Sequence, residues 1–301
     1  GLHGTGFSPR GNPGENQIGR RHCRVPGPCS SDCQSRFGRS VCAVLLSQDG
    51  EFIPLTLADW DVRQGNIDLV IQGVGTSTKL MNQLEPQQSF AGIAGPLGRP
   101  SVIERYDDDR RVVFIAGGVG LPPVLPILKE HLELGNQTVL ISGFRNLTQA
   151  FWHEPGQRLD RLQSDFPNLE VIYTSDDGSF GLHGLVTQPL ETMLKQANTL
   201  GPGIGEVIAI GPPLMMRAVS ELTRPYGVKT IASLNSVMID ATGMCGACMV
   251  PIHKEDQLLR KHACVDGPEF DAHSIDWEKL LPRFKQFNLQ ELRSQELKGL
   301  S

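Results

Sequence analysis

Three thiols fall close together late in the chain: Cys245-Gly246-Ala247-Cys248, then Cys264 after fifteen intervening residues. Two cysteines separated by two residues can share one tight loop, and Gly246 lets that backbone bend toward the sulfurs. Such a set suits a metal centre, which needs a fourth ligand. Asp240 precedes Cys245 with four residues between, where a plant-type [2Fe-2S] loop has its first cysteine. A two-iron cluster on Asp240, Cys245, Cys248 and Cys264 is one reading. Structural zinc is another, since three thiolates and one more ligand are a common zinc set that His253 or His262 could complete. The wide return to Cys264 is less typical of zinc ribbons and favours the cluster. Free buried cysteines are the plainest alternative. The earlier Cys23, Cys29 and Cys33 match no metal spacing, and their Gly/Pro-rich surroundings offer no supporting ligand shell.

A second chemistry is binding of phosphates and nucleotides. Gly75-Thr76-Ser77-Thr78 places hydroxyl residues after a glycine at a helix start, where free amides face a pyrophosphate. Gly117-Gly118-Val119-Gly120 follows a buried run and opens a helix; alone it serves packing as often as ligands. Three more features follow predicted strands: Gly143-Phe144-Arg145, Ser175-Asp176-Asp177-Gly178 and Gly211-Pro212-Pro213-Leu214-Met215. Open parallel sheets bind ligands at those carboxyl ends, so their joint occurrence points to a dinucleotide.

The elements that must position these residues change character along the chain. Residues 1–40 carry eight Gly and six Arg with almost no apolar periodicity, and a low-order segment is expected there. Val41 to Leu46, Phe52 to Leu57 and Ile67 to Gln72 read as close-spaced strands of a small antiparallel barrel, and a short helix follows to about Leu84. From Arg111 the rhythm alternates. Val112 to Ala116, Thr138 to Ser142, Glu170 to Thr174 and Val207 to Ile210 are strands with helices between them, the pattern of a doubly wound parallel sheet. Pro122 and Pro123 are tolerated in a first helical turn, where amides lack partners. Ser233 to Phe270 reads as loop-rich, and Asp276 as the cap of a last helix beginning at Trp277.

These motifs resemble one family. Asp240 to Cys248 and Ala263-Cys264-Val265-Asp266-Gly267-Pro268-Glu269-Phe270-Asp271 are similar to the cluster segment of the small (alpha) subunit of NADH-dependent ferredoxin–NADP oxidoreductase. The beta subunit of sulfide dehydrogenase is similar too, and both lie in the ferredoxin reductase superfamily. The resemblance covers roughly residues 41–285. It implies a [2Fe-2S] cluster on Asp240, Cys245, Cys248 and Cys264. It also implies FAD in the barrel, with Pro54, Leu55, Thr56 and Leu57 lining the isoalloxazine and ribityl chain and Gly75, Ser77 and Thr78 holding the phosphates. Gly95-Pro96-Leu97-Gly98 matches the turn that ends that domain. For NAD(P), Gly118 and Gly120 would let the backbone approach the dinucleotide. Arg145 would approach the adenosine ribose or a 2′-phosphate, Gly211, Pro212 and Met215 would flank the nicotinamide, and Asp176 is a further cofactor-binding candidate.

Two features depart from the family pattern. Phe52 stands where a basic residue usually precedes the Ile-Pro-Leu-Thr run, and residues 1–40 show nothing like the first barrel strands, so an incomplete barrel is expected. The dihydroorotate dehydrogenase electron-transfer subunit has the same layout with four cysteines in its loop, and it stays as an alternative. A non-catalytic zinc-stabilised binding module is the alternative from another class.

The expected domains are a low-order segment at 1–40, an FAD barrel at 41–105, an NAD(P) domain at 106–228, a cluster domain at 229–272 and a C-terminal helix at 273–301. The expected function is an NAD(P)H-dependent oxidoreductase subunit moving electrons between NAD(P)H, FAD and the cluster. No general acid or base is required for hydride transfer to flavin. The resemblance implies a larger flavoprotein partner similar to the glutamate synthase small subunit, with ferredoxin as a further candidate. Trp277 to Leu297 is a candidate docking helix, or an amphipathic helix packed on its own domain. A net charge of −5 gives no reason to invoke nucleic acid. No apolar run nears the ~18 residues of a spanning helix and no signal-peptide pattern heads the chain, so the cytoplasm is expected.

Overall fold

The structure, a computed structural model, describes residues 4–7, 18–24, 41–47, 52–61, 66–72, 76–85, 88–107, 109–199, 201–236 and 242–285. They divide into two compact units: 1–100 with 235–268 and 275–301, and 101–234 with 269–274.

The first unit holds a six-stranded antiparallel sheet. Its strands are β1 (Gly4–Phe7), β2 (Ile18–Arg24), β3 (Val41–Leu45), β4 (Phe52–Asp61), β5 (Asn66–Gln72) and β6 (Gly92–Leu97), in the order β1-β2-β5-β4-β3-β6. The low-order expectation for 1–40 therefore fails at β1 and β2, which add two strands to the barrel sheet. The sequence hid them because β2 reads Ile-Gly-Arg-Arg-His-Cys-Arg, with no apolar alternation. Its partner β5 supplies that alternation: Ile67, Leu69 and Ile71 are buried, and β2 pairs along its whole length with β5. β4 also runs on to Asp61, past the strand end expected at Leu57. Cys42, Val44, Leu55, Met81 and Phe90 complete this core. α1 (Thr76–Asn82) packs on it through Met81, and the Asn82 side-chain amide donates to Ile71 O at 3.2 Å.

The second unit is a sheet built by β7 (Arg111–Gly117), β8 (Thr138–Phe144), β9 (Leu169–Ser175), β10 (Leu182–His183), β11 (Ile204–Ile210) and β12 (Lys229–Ser233), all parallel where they pair. Its order is β10-β9-β8-β7-β11-β12, closed by β15 (Glu269–Asp271) as an antiparallel edge. β7, β8 and β11 are buried almost throughout, which is why they read as continuous apolar runs. The helices are α2 (Leu121–Glu133), α3 (Arg158–Asp165), α4 (Thr187–Ala197) and α5 (Pro213–Thr223). α2 buries Leu121, Val124, Leu125, Leu128 and Leu132 against the sheet, with Pro122 and Pro123 in its first turn. No helix among the described residues is long and apolar enough to cross a membrane.

The segment read as loop-rich contains a hairpin, β13 (Met249–Lys254) with β14 (Gln257–His262), turning at Glu255 with φ 54°. Exposed, charged positions on both strands masked its alternation. Residues 235–268 fall in the same compact unit as the barrel. Gly98 donates its amide to Cys264 O at 2.8 Å and Arg99 to Gly267 O at 2.6 Å, which ties the barrel's last turn to the cysteine segment. A last helix, α6, covers 277–285 with Trp277 and Leu280 buried in the first unit. Its described part thus packs on its own unit; the remainder of the expected docking helix lies outside the described residues.

Candidate redox centre and nucleotide cradle

The hairpin explains the wide cysteine spacing. Met249 pairs with His262, so the residues just outside the ladder meet, and the Ala263 amide donates to Cys248 O at 3.1 Å. Cys248 and Cys264 arrive side by side with their sulfurs 3.3 Å apart, both free and 1% and 3% exposed. Cys245 is free and exposed at the outer end of the loop. Gly246 between them has φ 71° and open space where a side chain would be, so the turn asks for backbone conformation rather than room. Burial, and next the Cys248 thiol beside it, push the Cys264 thiol up to about 12; the Gly243 amide at its sulfur opposes this. Loading a metal must therefore displace protons from a buried thiol pair.

Among the described residues no group of three or more His, Cys, Asp or Glu side chains surrounds a single ion. His253 is spent on Asp276, at 3.1 Å. A [2Fe-2S] cluster has two irons with two ligands each, so a buried contacting pair plus an outer thiol fits it without convergence on a point. Asp240 lies outside the described residues, as does Gly75.

In the second unit the strand order reverses between β7 and β11, which open sheets use as a binding crevice. The Gly117 to Gly120 turn leaves β7 at that point and Gly211 to Met215 leaves β11. The two turns touch: a Cβ on Gly117 would meet Met215 Sδ at 2.6 Å and Pro212 Cδ at 2.8 Å. Gly118 has φ 52° and nothing within 4 Å of its Cβ position, so its backbone is open to a ligand. Gly120 differs. A Cβ there would lie 2.0 Å from Ile210 O, so its smallness serves the packing of α2 against β11. Arg145 and Asp176 are exposed at the ends of β8 and β9, joined by the Asp176 amide to Phe144 O at 3.1 Å and the Asp177 amide to Arg145 O at 3.2 Å. Sequence reasoning missed Ser179. It accepts from the Leu147 amide at 2.9 Å and donates to Asp177 at 2.6 Å, fixing this corner from loop to loop.

The flavin candidates divide by strand face. Leu55 is buried in the barrel core, which withdraws its side chain from a ligand, and its carbonyl accepts from the Cys42 thiol at 3.3 Å. Pro54, half-buried, lies on the opposite face. Thr56 and Leu57 continue β4 as backbone, and their side chains are outside the description. Ser77 and Thr78 are half-buried in the first turn of α1, where hydroxyls and amides suit a phosphate.

Comparison with known proteins agrees with this division. Residues 235–276 match the iron–sulfur cluster binding domain of dihydroorotate dehydrogenase B, and residues 114–221 the oxidoreductase NAD-binding domain. A dihydroorotate dehydrogenase B (NAD(+)) electron transfer subunit homolog of Thermotoga maritima is 34% identical over 264 residues, covering 87% of this chain and 86% of that one. The corresponding electron transfer subunit of Geobacillus kaustophilus is 29% identical, covering 74% and 79%. Among solved structures, one of the NADH-dependent reduced ferredoxin–NADP oxidoreductase superposes with a TM-score of 0.79 at 30% identity, over 98% of this chain and 96% of the other.

Proposed function

The chain belongs to the family of dihydroorotate dehydrogenase B-type electron-transfer subunits, within the ferredoxin reductase superfamily, and from that premise we propose that it is the NAD(P)H-oxidising subunit of a larger redox enzyme. Electrons would pass between NAD(P)H, FAD and a [2Fe-2S] cluster in this chain, and on to a larger flavoprotein subunit. The observation that carries the proposal is the buried Cys248–Cys264 pair, 3.3 Å apart, inside the segment matched to an iron–sulfur domain.

When bound, the nicotinamide and flavin exchange a hydride and the cluster exchanges single electrons, so the flavin is the two-to-one converter. The chain's own residues bind, orient and screen. Cys245, Cys248, Cys264 and Asp240 would hold the cluster, with Cys248 and Cys264 shielded from water by their burial and Cys245 exposed. Asp240, a hard oxygen donor, favours ferric iron and should tune the potential. Gly118 admits the pyrophosphate, while Gly120 keeps its turn pressed on β11. Arg145 and Asp176 would face the adenosine end, and Gly211, Pro212 and Met215 the nicotinamide. Pro54, Thr56, Leu57 and the Leu55 backbone would line the flavin, and Gly75, Ser77 and Thr78 its phosphates.

The family-model match also favours a second reading, in which the partner is a dihydroorotate dehydrogenase. Asp240 in place of a cysteine supports the flavoprotein similar to the glutamate synthase small subunit, with ferredoxin reached through it. Co-purification of the native complex separates the two by the identity of the large subunit. The activity itself is tested by adding NADH, then NADPH, anaerobically to the iron- and FAD-loaded chain. Bleaching of the flavin and cluster absorbance supports the proposal; an unchanged spectrum with both nucleotides refutes it. Asp240→Cys should move the cluster midpoint in an electron paramagnetic resonance titration, and an unmoved midpoint removes Asp240 from the ligand set.

A further inference from the structure

Arg283 lies on α6, thirty-five residues beyond Cys248, yet it reaches the cysteine loop. Its guanidinium donates to Gly246 O at 3.0 Å and to Ala247 O at 3.3 Å. Both carbonyls belong to peptides between Cys245 and Cys248. The helix that carries the arginine is itself fixed. Asp276 accepts from the Lys279 amide at 3.0 Å and donates its own amide to Pro251 O at 3.0 Å on the hairpin, while Trp277 and Leu280 are buried. Among the described residues no carboxylate lies within ion-pair distance of Arg283, whereas Arg99 and Lys261 are both turned to Asp266. Its charge is therefore directed at the loop.

A planar trans peptide points its N–H opposite its C=O. Drawing the Gly246 and Ala247 carbonyls to the guanidinium turns the Ala247 and Cys248 amides away from it. Neither amide donates to a backbone carbonyl among the described residues. Both remain available on the side of the loop away from Arg283. Amide donors to ligand sulfurs, and a nearby cation, stabilise the extra negative charge of a reduced cluster.

We propose that Arg283 is a positioning residue for the redox centre: by bridging the Gly246 and Ala247 carbonyls it holds the loop with its amides toward the ligands, raises the midpoint potential and slows iron loss. The inference rests on the reading of Cys245 and Cys248 as cluster ligands. The test compares the full-length chain with Arg283→Gln and Arg283→Lys, each loaded anaerobically with iron and sulfide. Two quantities are read: the midpoint by paramagnetic resonance titration, and the rate of iron release to a ferrous chelator.

Arg283→Gln should disfavour one-electron reduction about tenfold, which for a one-electron couple is a fall of about 59 mV. Its iron should leave at least about tenfold faster, the low end for losing a group that supports metal ligands. Arg283→Lys keeps the charge and should recover most of the midpoint, but its shorter side chain does not carry a nitrogen to the place from which Nη2 reaches both carbonyls, and it should not restore slow release. A wild-type midpoint in Arg283→Gln overturns the proposal whatever its iron release. If Arg283→Gln does not fold, a wild-type release rate in Arg283→Lys overturns it instead. Should the unsubstituted chain itself show no [2Fe-2S] signal, the cluster reading fails and the arginine's role falls with it.

Discussion

The nucleotide cradle and the cysteine segment are built on different plans. At the ends of β7 and β11 the candidate cradle is main chain: Gly117 and Gly120 lie so close to Met215, Ile210 and Gly211 that a side chain would clash, while Gly118 stays open. In the cysteine segment the candidate ligands are side chains on the irregular stretches that flank the β13–β14 hairpin. Those stretches are held from outside, by Gly98 and Arg99 of the barrel turn, by the β13–β14 ladder and by Arg283 of α6. A site made of backbone is fixed by the sheet that bears it, so its weak points are steric. A site made of side chains needs anchors from elsewhere, so its weak points are single distant contacts.

The largest expected effect tests the backbone plan. Gly120→Ala drives a methyl into the Ile210 carbonyl at 2.0 Å and should cost the second unit about 3 kcal/mol in a chemical melt. A loss under about 1 kcal/mol would break the comparison on that side. Next comes Lys229→Met, away from both candidate sites. Glu206 is 2% exposed and Lys229 38%, with the pair 2.9 Å apart. Burial outweighs the lysine and holds the Glu206 carboxyl above the usual carboxylate range. Removing Lys229 leaves a buried acid supported by Tyr106 and should cost about 2 kcal/mol, discounted because the lysine is partly screened. Urea midpoints at neutral pH measure it.

Gly118→Ala sharpens the same side. Its Cβ meets nothing, so only the left-handed backbone is penalised, by about 1 to 2 kcal/mol. Nucleotide affinity measured by calorimetry should fall more than stability does, whereas Gly120→Ala should lose stability first. The smallest effect lies in the other region. Asp276→Ala removes the cap of α6 and should cost about 1 kcal/mol. Burial alone would raise the Asp276 carboxyl, but the Lys279 amide and ammonium and His253 together hold it below the usual range. A lowered folded value means its contribution is complete above about pH 4 and lost as pH falls below that. Acid melts of wild type and Asp276→Ala should therefore converge at low pH, and constant separation would exclude this role.

The same contrast decides what could be read from sequence. β7, β8 and β11 were legible because strands covered on both faces are continuous apolar runs, and the glycine turns follow them directly. Cys245, Cys248 and Cys264 were legible by type and spacing. The hairpin that joins them was not, since Lys254, Gln257, Arg260 and Lys261 interrupt its pattern. Nor was β2, whose place depends on the apolar face of β5. Leu55 matched a flavin motif, but only the pleat of β4 shows that it faces the core. Arg283 could not be foreseen, because a side chain meeting two carbonyls 36 and 37 residues away leaves no periodic trace.

The most direct test is metal and acid-labile sulfide analysis of the anaerobically purified chain, with paramagnetic resonance after reduction. About two irons and two sulfides per chain with a spin-half signal are predicted for a cluster on these three thiols and Asp240. Zinc, or a single iron without labile sulfide, would contradict the account.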